Sequence, residues 1–550
     1  MNGFTELEEK ESTCSTEKQP EFFLHGVRLW VAGAGLAICI FLPTLEISIV
    51  STSLITLGNE LHGFDQTPWI PNAYILTYSG FLMIWSRCGD IFGVRASLLT
   101  SLAFFVAFSG GCGAVQNLNE LIICRAFQGI GAAGVFALST FGFLRLMHPS
   151  RYGTIAALAG VMISLGLVLG PICGGAINNA GGWRWIFLLN VPAGAVAWLC
   201  ILIAMPYHYP HPPPLRSATN PAGTWMKSFL KNQGIFLRQV DFLGAFLILA
   251  ASMLLVAALQ EGTVDFTWSS GVIISFFVVS GALWVAFLAW IWFLSRRSWA
   301  IHPILPWRLT KSRVFMGCVL GWFLTGPALV VSVIELPQRY QTVNKSSPLG
   351  AGVKLLAYSL SNPVGGIISS TLMTKFKVPF VYTLGAGWVL QSVGFFLMSE
   401  IPTTVDLWLG QFGYFAMFGL GIGITGSALY MLVPESVDEP DQLIAMGTAT
   451  QGRQVGGALG VAIATTMLNT HLTDGLASFL APEQIDAVKD TAQAIDKFPE
   501  AVQIDVRRTF AEAYNLQMKM VGGFALAQVL VIAMIWKKHQ IRIVKPRSAG

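Results

Sequence analysis

Runs of about 20 apolar residues recur along almost the whole chain, and nothing else in the sequence restricts its fold as strongly. A helix of that length crosses the hydrocarbon core of a bilayer, and within lipid the backbone polar groups must be satisfied inside a helix or a closed barrel. About fourteen such runs occur, at roughly 29–51, 68–87, 96–115, 119–144, 153–177, 183–205, 240–260, 270–294, 313–336, 348–371, 379–400, 406–433, 446–470 and 515–536. Only 11% of the 550 residues are charged, against about 25% in a soluble domain. The sequence therefore predicts an all-α polytopic membrane protein.

Orientation follows from basic residues. With the amino terminus in the cytoplasm, most of the 34 Lys and Arg fall on the inner side, including Arg216, Lys227, Lys231 and Arg238 after the sixth run and Arg296, Arg297, Arg308, Lys311 and Arg313 after the eighth. The positive-inside rule then puts both ends of the chain in the cytoplasm, as an even number of spans requires. The eight cysteines include no C-x2-C pair, so neither a zinc site nor a disulfide framework is indicated, and no metal or cofactor is expected. No G-x4-G-K-[ST] loop occurs either. Energy for transport would have to come from an ion gradient or from the substrate's own gradient.

Charges inside apolar runs are the informative residues, since each costs about 2.5–3.5 kcal/mol at mid-membrane. Glu46 and Arg125 lie at similar distances from the outer ends of the first and fourth runs; at a rise of 1.5 Å per residue both sit about 9 Å below the outer surface. That shared depth allows a pair facing one cavity, where a proton and a cationic or polar substrate compete; the alternative is a structural salt bridge. Arg453, toward the inner end of the thirteenth run, suits a gate or a substrate contact, or a side chain snorkelling to the headgroups. Glu335 and Lys354 fall near the outer ends of neighbouring runs and are expected to pair at the interface. Asn344 opens an N-x-S sequon in the loop after the ninth run, a candidate N-glycosylation site.

Residues 166–194 read GLVLGPICGGAINNAGGWRWIFLLNVPAG. Gly166, Gly170 and Gly174 are four apart and share one helix face, with Pro171 inside the helix and Gly175 beside it. Small residues at this spacing let helices approach closely in lipid. The pattern G-x3-G-P-x2-G-G followed by G-W-R-W-I-F-x2-N-x-P-x-G resembles the fifth and sixth spans of the fourteen-span drug:proton antiporters of the major facilitator superfamily. R-x2-Q-G-x-G, here Arg125, Gln128, Gly129 and Gly131, is similar to their fourth-span motif, and Glu46 stands where their first-span acid, usually Asp, belongs. Between the second and third runs, SRCGDIFGVRASLL resembles the superfamily's cytoplasmic loop G-x3-D-x2-G-[RK]-[RK] through Asp90, Gly93 and Arg95. Ser86 replaces its first Gly and Val94 one of its basic residues, so a latch built here has fewer charges than the pattern expects.

The resemblance implies a major facilitator fold with about 14 transmembrane helices arranged 6+2+6. On that division residues 1–27 form a disordered cytoplasmic tail, 28–205 a six-span bundle, 206–239 a Pro-rich cytoplasmic linker and 240–294 two additional spans. Residues 295–312 form a cytoplasmic loop, 313–536 a second six-span bundle with an extracellular segment at 471–514, and 537–550 a cytoplasmic tail. It also implies a transporter, not an enzyme, that exports a small amphiphilic organic compound across the plasma membrane in exchange for protons, with Glu46, Arg125 and Gln128 coupling the two. Proton-coupled uptake of a nutrient or an iron chelate is the alternative on the same scaffold. The expected partners are the small-molecule substrate, protons and the lipid bilayer, with no nucleic acid, and the expected state is a monomer.

Overall fold

The computed structural model describes residues 24, 26–51, 53, 57, 60–61, 69–145, 152–179, 182–206, 241–262, 268–296, 303–490, 492–538 and 540–541. Most of the expected amino-terminal tail, linker and carboxy-terminal tail lies outside these residues. Every apolar run becomes a helix, and no strand occurs among the described residues. In chain order these are α1 (Val27–Ser51), α2 (Trp69–Phe92), α3 (Val94–Ala114), α4 (Leu118–Arg145), α5 (Tyr152–Asn179), α6 (Arg184–Ala204), α7 (Phe242–Glu261) and α8 (Gly271–Ser295). There follow α9 (Arg313–Thr342), α10 (Leu356–Thr374), α11 (Phe380–Met398), α12 (Gln411–Glu435), α13 (Gln442–Leu476) and α14 (Glu500–Ile535).

Twelve of the described helices are long and apolar enough to cross a membrane. The two outside that set, α2 and α10, carry their polar residues inward: Thr77, Ser79 and Ser86 on α2 and Ser359, Ser361, Ser369 and Ser370 on α10 are buried against other helices. The outer face of α10 is apolar instead, with Leu360 and Val364 both exposed.

Neighbour relations among the first six helices recur among the last six. α1 packs on α5 and α6, α2 on α4, and α3 on α4 and α6; correspondingly α9 packs on α13 and α14, α10 on α12, and α11 on α12 and α14. The two groups meet along two seams, α5 with α10 and α2 with α13. Helix α7 lies against α2 and α13, held by the Gln451 amide, which donates to Ser252 Oγ at 2.7 Å. Helix α8 touches chiefly α7 and exposes Val272, Val278 and Val285, as a peripheral helix apolar on every side must.

Glycine sets the tightest crossings in both groups. A Cβ on Gly170 of α5 would lie 2.7 Å from Ser48 Cβ and 2.8 Å from the Ile49 nitrogen of α1, and one on Gly166 would lie 2.9 Å from the Leu45 nitrogen. Ser48 Oγ donates to the Gly166 carbonyl at 2.9 Å across this contact. The matching crossing of α9 with α13 is closed the same way: a Cβ on Gly456 would lie 2.8 Å from the Phe323 carbonyl carbon, and one on Gly460 2.6 Å from Pro327 Cβ.

Candidate functional site

Glu46 on α1 and Arg125 on α4 meet inside the first six-helix group. Arg125 Nη1 donates to Glu46 Oε1 at 2.5 Å, with the two side chains 1% or less exposed. The other carboxylate oxygen accepts from the Asn190 amide of α6, so both oxygens are engaged. Arg125 Nη1 also donates to Gln128 Oε1 at 2.7 Å and its Nε to the Ile70 carbonyl at 3.3 Å, while the guanidinium lies 4.3 Å from the Tyr74 ring centroid. Gln128 continues the chain through its Nε2 to Ser109 Oγ at 2.9 Å, and Ser109 Oγ donates to the Phe187 carbonyl at 3.0 Å.

The R-x2-Q-G-x-G spacing explains this cluster. Arg125 and Gln128 are three positions apart, which puts both on one face of α4. Gly129 and Gly131 let that face approach its neighbours: a Cβ on Gly131 would lie 2.5 Å from the Phe105 nitrogen of α3, and one on Gly129 would strike Thr77 and the Tyr74 carbonyl of α2. Asn190 belongs to the N of the W-R-W-I-F-x2-N stretch. Its polarity inside an apolar run was the available signal, and the sequence alone gave it no partner.

A separate cavity of about 80 Å³ lies between the two groups, lined from α4, α5, α9, α10, α12 and α13. Its walls combine Phe136, Ile163, Trp322, Leu329 and Ile422 with Thr140, Thr325, Asn362, Ser427, Tyr430, Thr450 and Arg453. Arg453, for which the sequence left open a gate, a substrate contact or a snorkelling side chain, is among these wall residues. It is 8% exposed, and its guanidinium lies 5.1 Å from the Trp322 ring centroid and 5.6 Å from that of Phe136. Neither Glu46 nor Arg125 borders this space. A compound in this cavity would therefore not touch the Glu46 carboxylate. The aromatic and Asn362 walls went unnoticed in sequence, because an aromatic residue within an apolar run looks the same whether it faces lipid or a cavity.

The remaining expected residues are placed as follows. Gly166 and Gly170 face α1, Gly174 is buried, Gly175 has open space beside it, and Pro171 lies within α5. Asp90 pairs with Arg87 of its own helix at 3.3 Å, and Arg95 Nη2 donates to the Leu202 carbonyl at 2.6 Å. Gly93 joins α2 to α3 with φ of 88°, a conformation open to glycine at little cost. The Ser86 departure is accommodated across the α2–α13 seam, where Gly447 leaves room for the serine hydroxyl. At the same end Arg145 of α4 donates to Gln442 and lies 3.6 Å from Glu439, and Arg308 pairs with Asp441 at 2.7 Å. Asn344 Nδ2 donates to the Val405 carbonyl at 2.8 Å. The expected Glu335–Lys354 pair does not form: Lys354 Nζ donates to Ser346 Oγ at 2.5 Å and lies 5.1 Å from the Tyr340 ring centroid, whereas Glu335 is 3% exposed with Oε2 unpartnered. The seven described cysteines are all free.

Residues 36–461 match the model of the Major Facilitator Superfamily. The chain is 37% identical over 526 residues to the MFS-type transporter FPY5 of Fusarium mangiferae, an alignment covering 96% of this chain and 86% of that protein. It is 26% identical over 506 residues to the efflux pump aflT of Aspergillus parasiticus, covering 92% and 93% of the two chains. Multidrug resistance protein 3 of Bacillus subtilis is 25% identical over 502 residues, 91% of each chain. Among solved structures, the proton:xylose symporter XylE superposes with a TM-score of 0.55 at 13% identity, covering 91% of this chain and 95% of that one.

Proposed function

This chain belongs to the Major Facilitator Superfamily, and on that premise we propose that it exports a small amphiphilic organic compound across the plasma membrane in exchange for protons. The observation that carries this reading is the cavity between the two six-helix groups, with apolar walls and a few polar groups drawn from both. A compound bound there touches both groups, so rocking one against the other exposes it to alternate sides of the membrane. Relatives named as efflux pumps support the outward direction.

We assign the proton to Glu46, a carboxylate shut away from solvent beside one arginine. One proton entering across about 100 mV and one pH unit releases roughly 3.7 kcal/mol, enough to hold a neutral compound at a gradient of roughly 500-fold. In the same reading the chain crosses the membrane fourteen times with both ends in the cytoplasm. Asp90, Gly93 and Arg95 then serve a cytoplasmic latch, and Asn344 faces outward, where glycosylation would compete with its bond to Val405.

Deleting the protein from its host tests the direction. Intracellular content of the exported compound and sensitivity to it should both rise, and collapsing the proton gradient should reproduce the effect. A fall in intracellular content on deletion would establish uptake in place of export.

A further inference from the structure

Three polar atoms around the central cavity have no hydrogen-bond partner, and two of them, on Arg453 and Trp322, can only donate. Arg453 forms no hydrogen bond or ion pair among the described residues, and its buried Nε is unpartnered. Trp322 Nε1 and Ser427 Oγ, which line the same space, are also buried without a partner. No Asp or Glu lines the cavity. Buried polar groups are normally satisfied, and an uncompensated buried cation is the costliest exception. Such a surplus of donors matches a ligand that brings acceptors and negative charge, and it opposes a cation, for which these walls hold no counter-charge. The aromatic rings of Phe136 and Trp322, 5.6 and 5.1 Å from the Arg453 guanidinium, give an apolar body a surface beside the charge.

We propose that the compound bound in this cavity is an organic acid in its anionic form, its carboxylate on Arg453 and Trp322 Nε1 and its apolar part against Phe136 and Ile422. This inference rests on the transport reading of the cavity and narrows its substrate to one chemical class. Of the cationic and polar substrates that the sequence allowed at Glu46, it opposes the cationic one. It also sets the charge moved: an anion leaving as one proton enters carries two charges per cycle, whereas a neutral compound carries one.

The test uses the purified full-length protein in lipid nanodiscs and three probes with the same ten-carbon chain, ending in a carboxylate, a methyl ester or a trimethylammonium group. Ligand-induced thermal stabilisation reports affinity. The wild type should bind the carboxylate at least 10-fold more tightly than either other probe. Arg453→Gln should lose roughly 10- to 100-fold for the carboxylate, the range of a hydrogen bond to a charged group, and leave the ester unchanged. Trp322→Phe keeps the ring, removes the donor, and should lose a few-fold for the carboxylate alone; it serves equally if Arg453→Gln does not fold. Equal or absent binding of the three probes by the wild type, preference for the ammonium, or undiminished carboxylate binding by the folded variants would overturn the proposal. Its failure is separable from that of the export reading: anion preference together with a drop in cellular content on deletion would leave the role of Arg453 standing and reverse only the direction.

Discussion

Arg125 and Arg453 are both sunk within the helices, 1% and 8% exposed, and both lie over aromatic rings, yet their surroundings are opposite. Around Arg125 the protein supplies its own complement, with the Glu46 carboxylate, the Gln128 amide and the Ile70 carbonyl all accepting from one guanidinium. Around Arg453 it supplies two rings and an opening. A charge at membrane depth is expensive in either place. The first cost is offset inside the fold, so the pair fixes three helices relative to one another. The second is left unmet, which is the mark of a charge kept for something that comes and goes.

Breaking the first arrangement should have the largest effect. Arg125→Ala leaves Glu46 buried with only the neutral amides of Asn190 and Gln128 beside it, and removing one partner of a buried ion pair costs about 3–5 kcal/mol. A strongly reduced melting temperature in detergent and little protein at the cell surface are expected. Glu46→Gln keeps the shape but cannot take a proton, so residual export should lose its dependence on the pH gradient. Wild-type pH dependence in that variant would make the pair purely structural. Replacing both residues by Gln should recover part of the stability lost in either single variant, because no unpaired charge remains.

Gly170→Leu tests whether the first arrangement depends on its setting. Ser48 and Ile49, which meet Gly170, lie within one turn of Glu46 on α1, so a side chain there pushes on the helix that carries the acid. Overpacking at such a contact costs about 1–3 kcal/mol. Surface expression near the wild-type level with export lost is the expected result, measured by surface labelling alongside efflux. Unchanged export would show that the α1–α5 crossing can widen freely.

How far the sequence reaches differs between the two arginines for a geometric reason. Apolar length gives the position of each helix and the depth of each charge, and equal depth allowed the Glu46–Arg125 pair that the structure forms. Depth says nothing of direction around the helix axis. Glu335 and Lys354 share an end and neighbouring helices, yet Lys354 turns to Ser346 and Tyr340 while Glu335 turns inward. The cavity walls failed for the same reason, since Phe136 and Trp322 reach Arg453 only once six helices are rotated into place. Glycine was the partial remedy: Gly166 and Gly170 mark a face of close approach, and the structure puts both at the α1–α5 crossing.

The smallest expected effect on stability is the most discriminating. Arg453→Gln removes a buried cation that has no counter-ion, so the desolvation cost disappears with it. What is lost is its interaction with two rings, about 0.5–2 kcal/mol. These contributions oppose each other, and the variant should melt within about 1 kcal/mol of the wild type, or slightly above it, while losing transport. Set beside Arg125→Ala, that gives two buried arginines whose removal differs by several kcal/mol in stability. A loss at Arg453 as large as at Arg125 would mean that Arg453 has a protein partner in the membrane, and the distinction between a charge held by the fold and a charge held for a ligand would collapse.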